Sequence, residues 1–355
     1  MVRKVPFPFR RMLLLVRGAL VDRDDPDLDR LDAMKDPERF VWAMLPHAAR
    51  SFAPSILLLP EDKARLAAVG YLYARMLDTY EDLSPSPEEA RRKIESFAGR
   101  FDLADPGPAP AIGDSAAVDP RDQAHILLVR RHYRVDRLFS ELDTVGKRQI
   151  IKMVTEMARG MVEFSEIFEE QGGVLGNEQQ VIAYCHHVIG VPATFTLDLL
   201  LEDATEEHHE EAMRVSELIQ LANITRDVEK DLSRGVAYHP LLRSHLGNVE
   251  SGAADEDIAT ARHELMLMAT RRAGSFRRLL KAVDLPRLSP ARSAAVMMML
   301  FTDRHFRRCA VAAGLPSWSG PSRVGSIILT ALPAAISGWW ANRILLRVER
   351  DLLAT

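Results

Sequence analysis

The chain has 355 residues, with 46 Lys and Arg against 50 Asp and Glu, so its net charge of −4 excludes the strongly basic class of nucleic-acid-binding proteins. Its only cysteines, Cys185 and Cys309, exclude a disulfide framework and a thiolate zinc cluster, and they favour a reducing compartment. A hydrophobic content of 47% excludes a disordered chain.

Residues 1–39 are predicted to form an N-terminal arm before the main domain. The arm begins with a basic stretch, but Arg17 interrupts its apolar run and acidic residues follow. A secretory signal peptide needs an unbroken apolar stretch, so we expect a basic arm rather than a leader. The protein is therefore expected in the cytoplasm.

Most long segments repeat their apolar residues at the three- and four-residue steps of an amphipathic helix, most clearly between residues 150 and 162. The sequence contains no series of alternating strands and no glycine-rich nucleotide-binding fingerprint. Prolines and glycines between residues 102 and 120 predict a surface loop. We therefore predict one all-α domain over residues 40–315. Its helices are predicted over 61–83, 121–139, 177–202, 207–232, 256–283 and 289–312.

The first candidate site lies near the end of the helix predicted over 61–83. Tyr71, Arg75, Asp78 and Asp82 follow one another at steps of four, three and four, so they share one helical face. The two carboxylates would lie ~6 Å apart along the helix axis, where their repulsion calls for a cation. Carboxylate oxygens at this spacing suit Mg²⁺ that also binds phosphate. The alternative is a solvated acidic helix end.

A second acidic box repeats the arrangement about 145 residues later in the chain. Asn223, Asp227 and Asp231 fall at steps of four, with Arg226 beside them, and amide and carboxylate oxygens are again ligands for hard cations. Two such boxes in one helical chain favour a cage of Mg²⁺ ions around a diphosphate, because bound cations neutralise the charge of a departing diphosphate.

An apolar helix between the boxes carries Tyr184 and Gly190. An aromatic face there could stabilise a carbocation, and a glycine would let a substrate approach the backbone. Plain core packing is the alternative interpretation. The adjacent His186 and His187 point in different directions, so we interpret them as structural rather than as a pair of metal ligands.

Residues 316–355 are predicted to form an apolar, helical C-terminal segment. Residues 324–342 carry no charge. This pattern favours a buried terminal helix first, an interfacial helix second and a membrane span third. Trp339 and Trp340, followed by Arg343 and Arg347, suit a membrane surface. Peripheral contact with the cytoplasmic membrane is therefore the alternative to a freely cytoplasmic protein.

Together these motifs resemble those of the squalene/phytoene synthases, the head-to-head trans-isoprenyl diphosphate synthases. The D-T-x-E-D wording of the first box is closest to squalene synthases. The matching segments are Arg50 to Ala53 with LLLP at 57–60, Tyr71 to Asp82, Tyr184 to His186, Asn223 to Asp231, and Tyr238 with Pro240.

The resemblance implies a single all-α isoprenoid-synthase bundle with a central cavity. It implies Mg²⁺-dependent, head-to-head condensation of two farnesyl (or geranylgeranyl) diphosphates through a cyclopropylcarbinyl diphosphate, to squalene or a related C30 product. NADPH would deliver a hydride, as in squalene synthases, and Tyr184 would stabilise or deprotonate the cation. The resemblance implies that Mg²⁺ is bound by Asp78, Asp82, Asp227 and Asp231, with Asn223 assisting. The implied catalytic residues are these four aspartates together with Tyr184. The implied substrate-binding residues are Arg50, Ser51, Tyr71, Arg75, Asn223 and Arg226.

Two departures from the family pattern leave the product and the use of NADPH open. Val236 stands where the family has a basic residue, and Pro192 stands within the channel helix, where we expect it to kink the helix. The alternatives are a phytoene or dehydrosqualene synthase, a terpene cyclase of the same fold, a non-catalytic scaffold relative, and a lipid-binding protein without chemistry. A prenyl diphosphate is the expected small-molecule partner, no nucleic acid is expected, and the oligomeric state is left open.

Overall fold

The computed structural model describes residues 13–15, 25–49, 52–102, 106–117, 119–247 and 252–354. These residues form helices joined by loops, and apart from one isolated parallel bridge between Val174 and Ala237 they contain no β-structure. The prediction of an all-α protein is therefore confirmed. The chain divides into two compact units between Val162 and Glu163, inside one long helix. The boundaries predicted near residues 39 and 315 stay predictions.

The first unit is organised around helix α4. Tyr73, Met76 and Tyr80 of this helix are fully buried, and α4 packs against α2, α5 and α6. One helix predicted over 121–139 is in fact two, because a turn at Arg131 separates α6 from α7. The helices of this unit are α1 (Leu28–Asp32), α2 (Pro37–Ala49), α3 (Phe52–Leu57), α4 (Glu61–Leu83), α5 (Pro87–Gly99), α6 (Pro120–Arg130), α7 (His132–Ser140) and most of α8 (Thr144–Glu170).

The predicted surface loop, here called the proline loop (residues 102–120), connects α5 to α6. Side chains of two helices hold it in place. The Tyr80 hydroxyl donates a hydrogen bond to the carbonyl of Pro110 at 2.8 Å, and the backbone N–H of Ala109 donates to His132 Nε2 at 3.2 Å. Because Tyr80 is fully buried and His132 is half-buried, these contacts attach the described part of the loop around Ala109 and Pro110 to the first unit.

The second unit is organised around helix α11, which packs against the helices on either side of it in sequence and against α14. Its first turn is closed by a capping box in which Thr205 and His208 each accept the other's backbone N–H. Its elements are α9 (Glu178–Cys185), a π-helical turn (His186–Gly190), α10 (Val191–Leu200), α11 (Glu206–Ser233), a 3₁₀ turn (Pro240–His245), α12 (Gly252–Thr270), α13 (Ser275–Ala282), α14 (Pro290–Ala312), α15 (Val324–Ala331), a 3₁₀ turn (Leu332–Ala335) and α16 (Gly338–Leu353).

The C-terminal segment is broken rather than continuous. The uncharged stretch at 324–342 divides into α15, a 3₁₀ turn and the start of α16, and both helices pack against α14. The buried carbonyls of the break are satisfied from α14, where the Ser293 hydroxyl donates to Ala331 at 2.9 Å and to Leu332 at 3.0 Å. Among the helices that the structure describes, none is long and apolar enough to cross a bilayer.

Candidate active site

In the first unit, one face of α4 carries the first acidic box, and Arg75 is at its centre. Arg75 Nη1 lies 3.1 Å from Asp78 Oδ2, and Nη2 donates to the Tyr71 hydroxyl at 3.2 Å. Arg75 Nε donates to the carbonyl of Ala48 at 3.1 Å, which fixes the guanidinium at the end of α2. Arg75 and Asp78 are both half-buried, so the pair is accessible to a ligand from one side.

The electrostatics of this box favour a further cation. Burial raises the pKa of Asp78 to about 6, the Asp82 carboxylate adds to the rise, and Arg75 opposes it. Burial would lower the pKa of Arg75, but the Tyr71 and Asp78 oxygens raise it above its ordinary range, so the guanidinium keeps its charge. A divalent cation between the two carboxylates would stabilise the ionised form of Asp78.

In the second unit, the acidic box lies on one face of α11. Asn223, Asp227 and Asp231 are half-buried there, at the four-residue spacing that the sequence predicts. The same face continues towards the helix N-terminus through Gln220 and Glu217, and Asn223 Nδ2 donates to Gln220 Oε1 at 3.1 Å. The polar face is therefore longer than the motif alone indicates.

Arg226 binds both carboxylate oxygens of its neighbour Asp227. Arg226 Nε donates to Oδ1 at 2.7 Å, and Nη2 donates to Oδ2. The remaining nitrogen, Nη1, lies 3.3 Å from Nε2 of His305 on α14. Burial would lower the pKa of Arg226, but its hydrogen bonds to Asp227 and the charge of that carboxylate raise it. The Arg226 guanidinium therefore neutralises the charge of the Asp227 carboxylate.

The donor atoms of both boxes fit Mg²⁺. Within the described ranges, no three His, Cys, Asp or Glu side chains converge as a closed metal site. Each box instead supplies two carboxylates one helical turn apart, the first of them already paired with an arginine. Mg²⁺ usually keeps several waters and binds one or two carboxylates together with substrate phosphates, so it needs no closed protein cage. The metal ligands stay a prediction.

Tyr184 lies in an aromatic cluster of the second unit. The Tyr238 hydroxyl donates to the Tyr184 hydroxyl at 3.1 Å, and the two ring centroids are 5.1 Å apart. Phe164 and Phe168 meet the Tyr184 ring edge to face, with centroid distances of 5.4 and 6.1 Å. Ring faces attract cations most strongly where water is excluded, and Tyr184 is buried, so the cluster suits a carbocation.

Backbone pairing places the loop that carries Tyr238. The N–H of Leu175 donates to the carbonyl of Ala237 at 3.0 Å, and the N–H of Ala237 donates to the carbonyl of Gly173 at 2.8 Å. Gly173 has a φ of 85°, and a Cβ there would lie 2.3 Å from the carbonyl oxygen of Gly235. Only glycine fits this close approach of two backbone segments.

The π-helical turn separates α9 from α10 directly before Pro192. In a continuous α-helix, the proline ring would clash with the carbonyl four residues earlier, which is why the sequence predicts a kink. The structure instead widens the preceding turn and places Pro192 in the first turn of α10. The missing N–H costs little at that position.

A buried ionic network joins the π turn to α11, and the sequence analysis did not find it. Glu217 Oε1 lies 2.7 Å from His186 Nε2, and Oε2 lies 2.5 Å from Arg272 Nε. The neighbouring His187 instead packs against Phe164, with ring centroids 5.6 Å apart, so the two histidines have separate structural partners, as predicted. The sequence did offer one signal for this network: Glu217 is an acidic residue on the polar face of α11 that carries Asn223, about two turns nearer the helix N-terminus.

Gly190 does not serve the role that the sequence analysis gives it. A Cβ at this position would lie 2.5 Å from Met213 Sδ and 3.2 Å from Ser216 Oγ, both on α11. The glycine therefore lets the π turn pack closely against α11, and the expectation that it opens a path for substrate was wrong.

The predicted site residues thus fall into separate groups. Arg50 and Ser51 lie outside the described residues. The group on α4 is Tyr71, Arg75, Asp78 and Asp82, and the group on α11 is Asn223, Arg226, Asp227 and Asp231. The sequence did not identify Glu217, Gln220 and His305 as site residues. Gln220 continues the polar face of α11 and contacts Asn223, whereas the side-chain partners of Glu217 and His305 come from distant parts of the chain.

A cleft of about 680 Å³ lies elsewhere in the first unit, between Leu13 and Leu14, α1 and α2. Trp42 is its aromatic lining residue, and Arg30 and Arg39 also line it. None of the predicted site residues lines this cleft, so it is distinct from both acidic boxes.

Comparison with known proteins identifies the family to which the chain belongs. The model of the squalene/phytoene synthase family matches residues 45–312. A lycopaoctaene synthase from Botryococcus braunii is 29% identical over 208 residues, which are 56% of this chain and 43% of that protein. A squalene synthase from Mycosarcoma maydis is 28% identical over 211 residues, which are 57% of this chain and 35% of that protein. The matched region thus spans less than half the length of each relative.

Solved structures share the fold. A ligand complex of TcSQS superposes with a TM-score of 0.66 and 18% identity, and covers 90% of this chain and 92% of that one. A dehydrosqualene synthase in complex with a ligand superposes with a TM-score of 0.51 and 14% identity, and covers 90% of this chain and 97% of that one. At these identities the likeness concerns the fold alone.

Proposed function

Because the chain belongs to the squalene/phytoene synthase family, we propose that it is a prenyltransferase that condenses two farnesyl diphosphates head-to-head. The reaction would run through a cyclopropylcarbinyl diphosphate to squalene or a related C30 product. One observation carries the proposal: each acidic box occupies one half-buried helical face, with an arginine bound to its first aspartate. Such a box can exchange the arginine for a metal ion and leave the arginine free to bind phosphate.

The acidic boxes bind the diphosphates in this proposal. When bound, Mg²⁺ neutralises the negative charge that develops as diphosphate departs. Arg75 and Arg226 keep their charge beside the carboxylates and donate N–H groups to phosphate oxygens. The proposed Mg²⁺ ligands are Asp78, Asp82, Asn223, Asp227 and Asp231. The residues proposed to bind substrate beside the two arginines are Arg50, Ser51, Tyr71 and Asn223.

Two ionisations follow one another. The C–O bond of the first substrate breaks, diphosphate leaves, and the double bond of the second substrate attacks the allylic cation. Loss of a proton then closes the cyclopropane, which retains the second diphosphate. Departure of that diphosphate would start a rearrangement, which would end with loss of a further proton to give dehydrosqualene or with delivery of a hydride to give squalene. NADPH, if bound, would supply that hydride.

Tyr184 would act on the cations between these steps. Its ring lies among Phe164, Phe168 and Tyr238, whose apolar surfaces exclude the water that would quench a cation. Its hydroxyl is oriented by Tyr238, at a distance of 3.1 Å, and is placed to stabilise a nearby positive charge or to accept the proton.

Product analysis tests the reaction. The purified chain is incubated with farnesyl or geranylgeranyl diphosphate and Mg²⁺, with and without NADPH, and the extracted products are identified by mass. We expect a C30 hydrocarbon from farnesyl diphosphate. A C40 product would identify a phytoene synthase, and a C15 terpene would identify a cyclase. Release of no product and no diphosphate under any condition would refute the proposal.

Matched variants test the acidic boxes. Asp78→Asn and Asp227→Asn each remove one carboxylate, and we expect turnover to fall by at least about a hundredfold, since each change removes cation-mediated stabilisation of the leaving group. Asp62→Asn and Glu207→Gln remove exposed carboxylates from the first turns of the same helices and should retain activity. Undiminished turnover in either box variant would contradict the assignment of that box.

A further inference from the structure

The C-terminal helix α16 has two chemically different faces. Its inner face packs on α14 through buried apolar side chains, among them Ala341, Ile344 and Val348. Its outer face repeats exposed residues at steps of three and four along the whole helix, in the order Trp339, Asn342, Arg343, Leu346, Arg350 and Leu353. We call this set the outer face of α16.

Large apolar side chains and arginines alternate on this outer face. Trp339, Leu346 and Leu353 are 66%, 43% and 60% exposed, whereas a helix that merely covers a core presents polar residues to water. The Arg343 guanidinium lies 5.3 Å from the centroid of the Trp339 ring, so cation and ring are already held together at the surface. Arg350 is the next arginine on this outer face.

The stretch of sequence that leads into α16 and through most of it is basic. Residues 304–348 contain six arginines and neither Asp nor Glu. The first acidic residues that follow are held by arginines, Glu349 by Arg277 at 2.8 Å and Asp351 by Arg350 at 3.5 Å. A positively charged surface with exposed tryptophan and leucine therefore extends along α16.

The segment is held firmly on the second unit. Trp340 Nε1 donates to the carbonyl of Thr330 on α15 at 2.9 Å, and Arg292 of α14 donates to the carbonyl of Ala334 in the intervening turn at 3.3 Å. Before α16 begins, the strongly exposed Leu329 and Ile336 add two more large apolar side chains. The surface is thus a fixed feature of the unit.

We propose that the outer face of α16 is a lipid-contacting surface that docks the protein on a membrane containing anionic lipids, with the helix lying along the interface. Trp339 and the two leucines would enter the boundary between headgroups and acyl chains, while Arg343 and Arg350 reach lipid phosphates. A protein partner fits less well, because a dry interface would bury two arginines among apolar residues without carboxylates to pair with them.

Vesicle binding tests this proposal with the full chain and without any enzyme assay. The protein is sedimented with vesicles of phosphatidylcholine alone or of phosphatidylcholine mixed with phosphatidylglycerol, at low and high salt. We expect binding to the mixed vesicles, weaker binding to the neutral ones, and loss of the difference at high salt. Failure to bind either vesicle would overturn the proposal.

Paired variants locate the contact. W339S/L346S removes apolar anchors and R343Q/R350Q removes charge, and each should weaken binding to mixed vesicles about tenfold or more. The control L267S/V311S removes two exposed apolar side chains from α12 and α14 and should bind like the unaltered protein. Circular dichroism and urea midpoints verify folding. Equal losses in control and surface variants would refute the location.

Size-exclusion chromatography supplies the remaining outcome. If the protein dimerises without lipid and W339S/L346S abolishes the dimer, the face is an interface between copies and the lipid proposal is wrong. Turnover measured without vesicles should be the same in the unaltered protein and in R343Q/R350Q. The lipid-contact proposal can therefore be refuted without refuting the proposed reaction, and the proposed reaction can be refuted without refuting lipid contact.

Discussion

Replacing Glu217 by Gln would measure what the buried network contributes to the second unit. The change keeps the shape of the side chain but removes the charge that Arg272 and His186 share. Besides the neutral amide oxygen that the substitution leaves at position 217, Arg272 would keep the Met268 carbonyl at 2.9 Å and the Glu178 carboxylate at 3.5 Å. A buried guanidinium would thus lose its main counter-charge, which makes the variant destabilising rather than neutral.

The burial of the pair sets the magnitude. The Glu217 and Arg272 side chains are only 9% and 15% exposed, so water screens their interaction weakly. Breaking a buried ion pair costs about 3–5 kcal/mol, and loss of one charge-assisted hydrogen bond costs about 1.5–3 kcal/mol. Glutamine retains one acceptor oxygen, so the loss should lie at the low end of the cost of breaking an ion pair and at the high end of the cost of losing one hydrogen bond. We therefore expect the free energy of unfolding to fall by about 3 kcal/mol.

A matched control separates burial from mere pairing. Glu264 Oε2 lies 2.8 Å from Nε2 of His239, nearly the same geometry, but its side chain is 53% exposed. Glu264→Gln should cost less than about 1 kcal/mol. Urea unfolding followed by circular dichroism measures both variants. Equal losses, or a loss for Glu217→Gln within about 0.5 kcal/mol of zero, would refute the reasoning.

The same variant has a predictable pH dependence. Burial acts to raise the pKa of Glu217, but hydrogen bonds from His186 and Arg272 hold it below its ordinary value of 4.5. Between the two values the unfolded chain binds a proton that the folded chain does not, so this contribution to stability is lost as pH falls through the window. The stability difference between the unaltered protein and Glu217→Gln should therefore shrink on acidification.

Three further changes test packing described above. Gly173→Ala should cost about 2 kcal/mol or more in urea unfolding, because the backbone oxygen of Gly235 cannot move aside and φ is positive. Gly190→Ala should cost only about 1 kcal/mol, since the flexible Met213 side chain can turn away, and a larger loss than for Gly173→Ala would contradict this ranking. Tyr80→Phe should cost about 1 kcal/mol and speed proteolysis within the proline loop, whereas unchanged cleavage there would show that the hydroxyl does not anchor it.

Sequence periodicity was sufficient for the long helices and for the composition of both boxes. Helix α4 begins and ends where predicted, because Pro60 and Ser84 adopt extended backbone at its two ends. Helices α11 and α14 agree with prediction to within one residue at each end. Side chains three or four residues apart share a helical face whatever surrounds the helix, so the shared faces of the two boxes were also predictable.

Features that depend on distant partners were not predictable in this way. Glu217 bonds to side chains 31 and 55 residues away, and no spacing rule connects such positions. The close packing of Gly190 against α11 likewise depends on which helix covers it. The turns at Arg131 and at residues 271–274 interrupt segments whose apolar spacing continues across them. These breaks follow from the packing of neighbouring helices rather than from local propensity.

The π turn also changes how this part of the chain should be aligned with other sequences. A turn closed from residue i to i+5 contains one residue more than an α-helical turn, so every side chain after Gly190 is rotated by about 100° relative to an uninterrupted helix. A helical wheel drawn through Tyr184 and Phe195 would place them on the same side, eleven residues apart, although the backbone between them is wound differently. Homology models that build this region as one straight α-helix would therefore point the side chains of α10 in the wrong directions.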